Sequence, residues 1–506
     1  MGSLLLLPSC SVKDGEKNPP NIVFILADDL GYGDISSFNP LSGIKTPNID
    51  RIATSGIKFN DAHSGSAVST PTRYGILTGR YTWRTELKQG VLDGYSKALI
   101  KPDRKTLPQI LKDVGYQTAC IGKWHLGWDW NNIEKGSDSI RYSKPITNGP
   151  TTRGFDYFYG ISGSLDMPPY VYVENDRPTA LPDRLTSGNN IPVGNPEYDG
   201  SFWREGPTGS DFDHQDCTPN FVRRACRYIT EKSVSEKPYF LYLALPSPHT
   251  PILPSEKFKG VSGLNYYADF VMMIDSMAGM IMKAVDESGE KENTILIFAS
   301  DNGTAPWADI ETLKKKGHNP TSIYRGHKAD IYDGGHRIPC LMRWPAKIKK
   351  PFEVSQTVCL NDFMATFAEI TGYTLKDTEG EDSFSLLPVI LNPGYNKMIH
   401  EATVHHSVFG HFAIRQGHWK LLLTPGSGGW SSPKPGKESE GLPPVQLYNM
   451  KDDPGETVTL QKMHPDKVKE LTSLLKKYIE EGRSTKGTPQ QNDGDYPWKE
   501  IEGFFN

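Results

Sequence analysis

No CxxC pair occurs anywhere in the 506-residue chain, whose six cysteines are Cys10, Cys120, Cys217, Cys226, Cys340 and Cys359. That spacing excludes a zinc ribbon and a thioredoxin-like redox motif. Cys217 and Cys226 fit either one disulfide or two free thiols. No internal apolar run is long enough to span a membrane. Excess charge of one sign is missing too: 56 Lys and Arg stand against 60 Asp and Glu, for a formal net charge of -4. That balance argues against a nucleic-acid partner, so an anionic ligand would need a local cationic pocket. A Gly-x-Ser-x-Gly elbow is also absent, which excludes the serine hydrolases built on it. With 48 Gly, 39 Pro and 37% apolar residues, the composition suits a loop-rich globular enzyme with one large core or two unequal domains.

Three continuous apolar runs, residues 21–27, 239–245 and 294–300, read as strands buried on both faces. The first ends in Asp28-Asp29-Leu30-Gly31-Tyr32-Gly33-Asp34 and the third in Asp301-Asn302-Gly303. Adjacent carboxylates at the end of a buried strand are costly unless neutralised, and a hard divalent cation neutralises them. A turn cluster capping the next element is the alternative. Asp28, Asp29, Asp301 and Asn302 together offer an all-oxygen environment suited to Ca2+ or Mg2+; Asp34 is assigned no ligand role. The run 239–245 exits through Pro246-Ser247-Pro248-His249-Thr250-Pro251, where a stiffened histidine is able to act as a proton donor.

Ser69-Thr70-Pro71-Thr72-Arg73 reads as a loop entering a short helix that stops at Gly79. A helical start there would aim free N–H groups and Arg73 at one anion, although a plain surface turn capped by Ser69 and Thr72 has the same local sequence. Residues 116–122 read as a short strand running into Lys123-Trp124-His125, which in an extended segment puts Lys123 and His125 on one face. Gly326-His327-Lys328 opens a segment that continues to Asp333-Gly334-Gly335-His336-Arg337-Ile338-Pro339. Thr46 to Phe59 reads as a helix with Pro47 near its start, Asn220 to Lys232 as another helix, and Met167 to about Asp213 as a long irregular insertion rich in Pro, Gly, Asn and Asp. His405, His406 and His411 fit either ligand contacts or three solvent-facing side chains.

Taken in order, these stretches resemble the type I sulfatases, whose signature is Cys or Ser followed by x-Pro-x-Arg and then Thr-Gly-Arg, here ending at Gly79-Arg80. Gly-Lys-Trp-His-x-Gly at 122–127, Pro-His-x-Pro at 248–251 and Leu-Tyr-Asn-Met-Lys-Asp-Asp-Pro-Gly-Glu at 447–456 extend the resemblance from Asn21 to about Glu481. Asp333 and Ile338 replace the family's usual Glu and Val. The resemblance implies an α/β, alkaline-phosphatase-like fold: a large, mostly parallel mixed sheet between helices, with a smaller C-terminal antiparallel-sheet subdomain. It implies that Ser69 is oxidised to Cα-formylglycine, whose hydrate offers one hydroxyl to attack sulfur and a second to expel sulfate. It further implies Asp28, Asp29, Asp301 and Asn302 as ligands of Ca2+ or Mg2+. Lys123 and Lys328 hold the sulfate, Arg73 orients the formylglycine, His249 protonates the leaving alcohol and His125 assists sulfate release. Ser164, Asp166 and His405 are candidate substrate contacts, and Arg337 a buttress. Serine at position 69 implies a radical-type maturase of an anaerobe; an engineered Cys-to-Ser change, or a host that leaves Ser69 unmodified, reads the same.

The expected organisation is a signal remnant and tether over 1–20, a catalytic domain over 21–375 and a C-terminal subdomain over 376–506. Leu4-Leu5-Leu6-Leu7-Pro8-Ser9-Cys10 resembles the end of a bacterial lipoprotein signal, so export to the periplasm or the outer membrane on a Cys10 lipid anchor is expected. The expected reaction is exo-acting hydrolysis of sulfate esters on galactose or N-acetylgalactosamine of glycosaminoglycans or mucin glycans. A sulfated mono- or oligosaccharide and the maturase are the expected partners, and no nucleic acid is. The alternatives are a phosphate monoester or diester hydrolase of the same superfamily and a non-catalytic glycan-binding protein.

Overall fold

The computed structural model describes residues 19–132, 139–494 and 496–505; Cys10 lies outside them. Apolar runs without alternation need cover on both faces, and a ten-stranded sheet between two helical layers supplies it. Its middle is five parallel strands: β1 Asn21–Asp28, β2 Gln117–Lys123, β3 Tyr157–Ile161, β4 Tyr239–Pro248 and β5 Thr294–Ser300. In space they run β5-β1-β4-β2-β3, with Ile22 opposite both Ile295 and Phe240, and Ala119 opposite Leu241 and Tyr157. The two-residue period divides each run between two cores. Ile22, Phe24 and Leu26 pack under helices Ser69–Thr78, Leu107–Asp113 and Phe363–Thr371; Val23, Ile25 and Ala27 pack under Pro47–Thr54, His214–Lys232 and Tyr266–Glu287. Short strands, several of them antiparallel, finish both edges.

The second sheet is antiparallel, in the order Thr403–His406, Phe412–Gln416, Trp419–Leu422 and Gln446–Asn449. Helix Pro465–Glu480 lays Leu471, Leu475 and Ile479 against it, and Trp498 and Ile501 join the same core. The polar tail from Ser484 therefore wraps the surface: Asp493 pairs with Arg80 at 3.3 Å and Asn492 accepts from Arg84 at 3.0 Å. Among the described residues no helix is long and apolar enough to cross a membrane.

Several local expectations are corrected. Thr46 to Phe59, expected as one helix, is a helix over Pro47–Thr54 followed by a strand over Ile57–Phe59. The switch falls at Gly56, where an added Cβ would sit 2.0 Å from the Met342 carbonyl oxygen, so only glycine lets the backbones approach. The helix expected from Asn220 begins at His214, capped by Asp213, and takes Pro219 in its second turn. The stretch 167–213, read as irregular, contains the hairpin Pro182–Thr186 and Gly206–Gly209. Cys217 and Cys226 are free thiols, nine positions apart on one helix and so on opposite sides of it.

Candidate active site

All five parallel strands release polar residues at their carboxyl ends, where open α/β sheets gather ligands. Asp28 closes β1 with Asp29 next to it, Lys123 closes β2, Ser164 follows β3, His249 follows β4, and Asp301 with Asn302 follows β5. Ser69 enters from above as the first residue of helix Ser69–Thr78, which ends at Gly79 in the left-handed region with φ 60°. The nearby Gly75 has no room for a side chain, since a Cβ would lie 2.2 Å from Asn361 Oδ1.

The Ser69 hydroxyl donates to Asp28 Oδ1 at 2.9 Å and lies 3.5 Å from Asn302 Oδ1. Oxygens of Asp28, Asp29 and Asp301 gather within 4.8 Å of one another, all buried. Asn302 donates its amide N–H to Asp29 Oδ1 at 2.7 Å. Three carboxylates in a dry pocket cannot share the space as anions without cations. Arg73 supplies one, bonding Asp301 Oδ2 through Nε at 3.1 Å and Nη2 at 2.8 Å. Lys123 reaches Asp28 Oδ2 at 2.6 Å, Ser164 Oγ at 2.6 Å and Ser69 Oγ at 3.4 Å, while Lys328 reaches Asp29 at 2.7 Å. Three cations thus balance three carboxylates, and a divalent ion on the acids would leave the pocket positive and ready for an anion. The donor set is all oxygen and fits a hard cation. Burial alone would raise the Asp28 carboxyl, but Lys123, His249 and Arg73 hold it well below its ordinary range; burial and the neighbouring Asp28 push Asp301 up. Burial lowers the Lys123 ammonium, whereas Asp29 holds Lys328 up against burial.

Two histidines face this centre, tethered through opposite ring nitrogens. His125 Nε2 lies 2.6 Å from the Leu92 carbonyl, which makes Nε2 the N–H and leaves Nδ1 a bare lone pair, buried and without a hydrogen-bond partner. Burial, with Lys123 and Arg73 adding, holds its pKa well below the ordinary value. His249 Nδ1 lies 2.6 Å from the Thr250 carbonyl and must carry a proton, so Nε2 turns to Asp29 Oδ2 at 3.6 Å. Asp166 Oδ1 is likewise buried and unpaired, 3.8 Å from His249 Nδ1, while Oδ2 pairs with Arg204 from the long insertion. Unsatisfied buried atoms at one spot mark where a ligand's polar groups belong.

Left-handed backbone clusters here: φ is 65° at Asp29, 55° at His125 and 79° at Ala329, beside Lys328. A non-glycine residue there costs roughly 1–3 kcal/mol, sustained only where neighbours fix it. His125 is therefore not in the extended segment expected after Lys123, although both face the pocket. Asp29 is held by residues the motifs do not announce. Tyr267 OH lies 2.6 Å from Thr304 Oγ1, 2.5 Å from Asp34 Oδ2 and 3.2 Å from the Asp29 carbonyl. His318 Nε2 closes the chain on Asp34 Oδ1 at 2.8 Å. The only sequence signal was Asp34 itself, a third acid after the Asp28-Asp29 pair.

His405 does not belong to this pocket. It is fully buried at the seam with the small sheet, with Nδ1 2.9 Å from the Ser64 carbonyl, Nε2 2.9 Å from Thr403 Oγ1 and its ring stacked on His336 at 4.2 Å. Both nitrogens are engaged, so it has nothing to offer a sugar. His406 is buried as well, not solvent-facing. Arg337 lies in the same seam, pairing with Asp61 at 2.5 Å and Asp333 at 2.9 Å.

The family model described as "Sulfatase" matches residues 20–373. The chain is 33% identical to the N-acetylgalactosamine-6-O-sulfatase of Bacteroides thetaiotaomicron, covering 93% of this chain and 96% of that protein. It is 29% identical to human arylsulfatase A, covering 87% and 83%. A solved structure from glycosaminoglycan metabolism by Bacteroides thetaiotaomicron superposes with a TM-score of 0.78 at 32% identity, over 91% of this chain and 99% of that one. With a sulfatase match over most of its length and a carboxylate-lined, cation-rich pocket around a serine at the maturation signature, the chain belongs to the type I, formylglycine-dependent sulfatase family and is a sulfuric-ester hydrolase.

Proposed function

We propose that the protein is an exo-acting carbohydrate sulfatase that removes a 6-O-sulfate from terminal N-acetylgalactosamine or galactose in glycosaminoglycans or mucin glycans. The sugar and the position follow from likeness to the N-acetylgalactosamine-6-O-sulfatase of Bacteroides thetaiotaomicron and to the N-acetylgalactosamine-6-sulfatase of Mus musculus, at 33% and 27% identity. The observation that carries the hydrolytic reading is the pair of histidines held through opposite ring nitrogens in the pocket around Ser69: an unpartnered Nδ1 on His125 and an Nε2 on His249 that faces Asp29.

Once oxidised, position 69 supplies a hydrated aldehyde, a nucleophile that a plain serine is not. Asp28, Asp29, Asp301 and Asn302 would hold Ca2+, which would supply Lewis-acid polarisation of the sulfate. Lys123 and Lys328 turn their ammonium groups from the carboxylates to the sulfate oxygens, and Ser164 accompanies Lys123. Arg73 fixes Asp301 and orients position 69. His249, held through Nδ1 by the Thr250 carbonyl, is the group that gives a proton from Nε2 to the departing sugar oxygen. His125, kept neutral, takes a proton at Nδ1 so that sulfate leaves and the aldehyde returns. Asp166, fixed by Arg204, receives a sugar hydroxyl on its free oxygen.

A serine at position 69 calls for a radical-type maturase, and the apolar stub ending at Cys10 suits an exported lipoprotein of an anaerobic bacterium. The test is peptide mass spectrometry across Ser69 on protein from its native host, with sulfate release from 6-O- and 4-O-sulfated N-acetylgalactosamine and galactose and from matched phosphate esters. Loss of two hydrogens at Ser69 with release from a 6-O-sulfated sugar is expected. Faster phosphate than sulfate release would overturn the reading.

A further inference from the structure

Two chain segments that carry site residues run on into the walls of a second cavity of about 640 Å3. Beyond Asp301 and Asn302, the chain continues through Pro306 to Lys315; ahead of Lys328, Arg325 to His327 form the facing wall. The Lys328 N–H donates to the Thr304 carbonyl at 2.9 Å, so the two walls are stitched where they leave the sulfate pocket. The cavity therefore adjoins the sulfate pocket through Lys328 and Thr304. Val193 and Gly194 of the insertion and Ser431 and Ser432 of the loop after Trp419–Leu422 complete it.

The cavity's charge is mostly positive, and its acids are spent. Asp309 caps the helix Ile310–Lys315 by accepting from Thr312 N–H, and Glu311 sits 3.8 Å from Lys314. Arg325 gives Nη1 to the Glu456 carbonyl at 2.8 Å and lays its plane over Tyr332. Lys315 has no ion pair among the described residues. His327 places Nδ1 3.0 Å from the Lys328 carbonyl and 3.7 Å from Asp330, which makes Nδ1 the N–H and leaves Nε2 as an acceptor for a ligand hydroxyl. Next to the lining residues Pro306 and Ser431, Trp307 and Trp430 meet edge to face at 5.5 Å, and Phe202 lies against Trp307 at 6.3 Å, a half-buried aromatic cluster beside the cavity. Tyr198 donates to the Trp307 carbonyl, so the insertion is tied to this wall.

We infer that this cavity is a second binding subsite, in which Lys315 holds an anionic substituent on the sugar adjoining the sulfated residue and His327 accepts from one of that sugar's hydroxyls. The inference rests on the sulfatase reading, and its test keeps the two apart. Matured protein and the H327A/K315A double variant are assayed on a sulfated monosaccharide and on sulfated disaccharides whose second sugar is a uronate, a sulfated hexose or a neutral hexose. Preference for an anionic second sugar, lost about tenfold through KM in the variant while monosaccharide turnover stays unchanged, is expected; the uronate and sulfated arms tell which anion is preferred. Calorimetry with the desulfated uronate disaccharide reads the subsite without turnover, and binding that weakens in the variant and with added salt is expected. Binding without turnover of any sulfated sugar would sink the hydrolytic reading and keep the subsite. Turnover with no anionic preference, or no binding of the desulfated disaccharide, would overturn the subsite.

Discussion

Among the described residues, two buried clusters each gather three potential metal ligands: Asp28, Asp29 and Asp301 in one, His63, His336 and His405 in the other. In the first, polar atoms at the rim stay unpaired, on His125 and Asp166, and the lysines sit on carboxylates that a cation would take from them. In the second, every side-chain polar atom is matched. His63 bonds Asp61 at 2.7 Å and His336 at 2.9 Å, and Lys420 bonds Asp333 at 2.7 Å, Glu456 at 2.8 Å and the Ile331 carbonyl at 3.0 Å. Arg415 reaches Asp61 at 2.9 Å and Asp333 at 3.6 Å. Lys420 and the arginines occupy the space where a cation would have to enter, so this is a closed clasp joining the two sheets rather than a metal site. Burial of charge alone does not distinguish function from structure; what the charges leave unsatisfied does.

The widest separation is expected from Ser69→Ala, which removes the nucleophile and should cost at least about 10^4-fold in turnover. Its unfolding free energy from urea denaturation should change by less than about 1 kcal/mol, since it removes one small hydroxyl. Lys420→Met should do the reverse. Stranding Asp333 and Glu456 without their cation should cost about 3–5 kcal/mol of stability, with turnover per folded molecule unchanged. If Lys420→Met abolished turnover in fully folded protein, the two clusters would not be separable. Tyr267→Phe tests the support under Asp29. Losing the hydroxyl between Asp34, Thr304 and the Asp29 carbonyl should weaken Ca2+ binding about 10–100-fold by calorimetric titration, with little effect on folding. An unchanged affinity would mean that Asp29 keeps its left-handed backbone without that support.

The open cluster was largely legible in the sequence because its members stand at the ends of apolar strands or in short runs beside them. Asp28, Asp29, Asp301, Asn302, Lys123 and His249 each follow a strand that periodicity reveals, and the sheet order then brings their ends together. What supports them was not legible. Tyr267 and Asp34 are 233 positions apart and Asp34 and His318 are 284 apart, and nothing local marks a helix tyrosine or a loop histidine as a prop. His405 misled for the same reason. Three histidines near a short strand look available to a sugar until Ser64 and His336, from distant parts of the chain, close over the first of them.

The smallest expected effect separates the clusters by pH. Burial lowers the pKa of His63, His336 and His405 below the ordinary value, so the folded protein keeps them neutral. The unfolded chain takes up protons below about pH 6.5 that the folded clasp refuses; the stability these histidines lend is full above that pH and is lost as pH falls. Asp61 and Asp333 differ. Burial opposes their ionisation, but Arg337 with Arg415 and Lys420 with Arg337 hold them well below the carboxylate range, so their contribution survives until pH drops beneath about 4. Between pH 6 and 5 Glu456 of this clasp, pushed up to about 7 by burial, keeps a proton in the fold that the unfolded chain gives up. It tilts the slope the opposite way in both proteins, so only the difference between them reports a histidine. His405→Gln keeps an acceptor and a donor but cannot titrate, and should flatten the stability–pH slope there by about 1.4 kcal/mol per pH unit in urea denaturation. His406 and His214, lowered by burial to about 3 and about 4, leave a residual slope in both proteins. An unchanged slope would mean that His405 is already protonated in the fold, and a clasp able to accept a proton would no longer be closed in the sense that sets it apart from the pocket around Ser69.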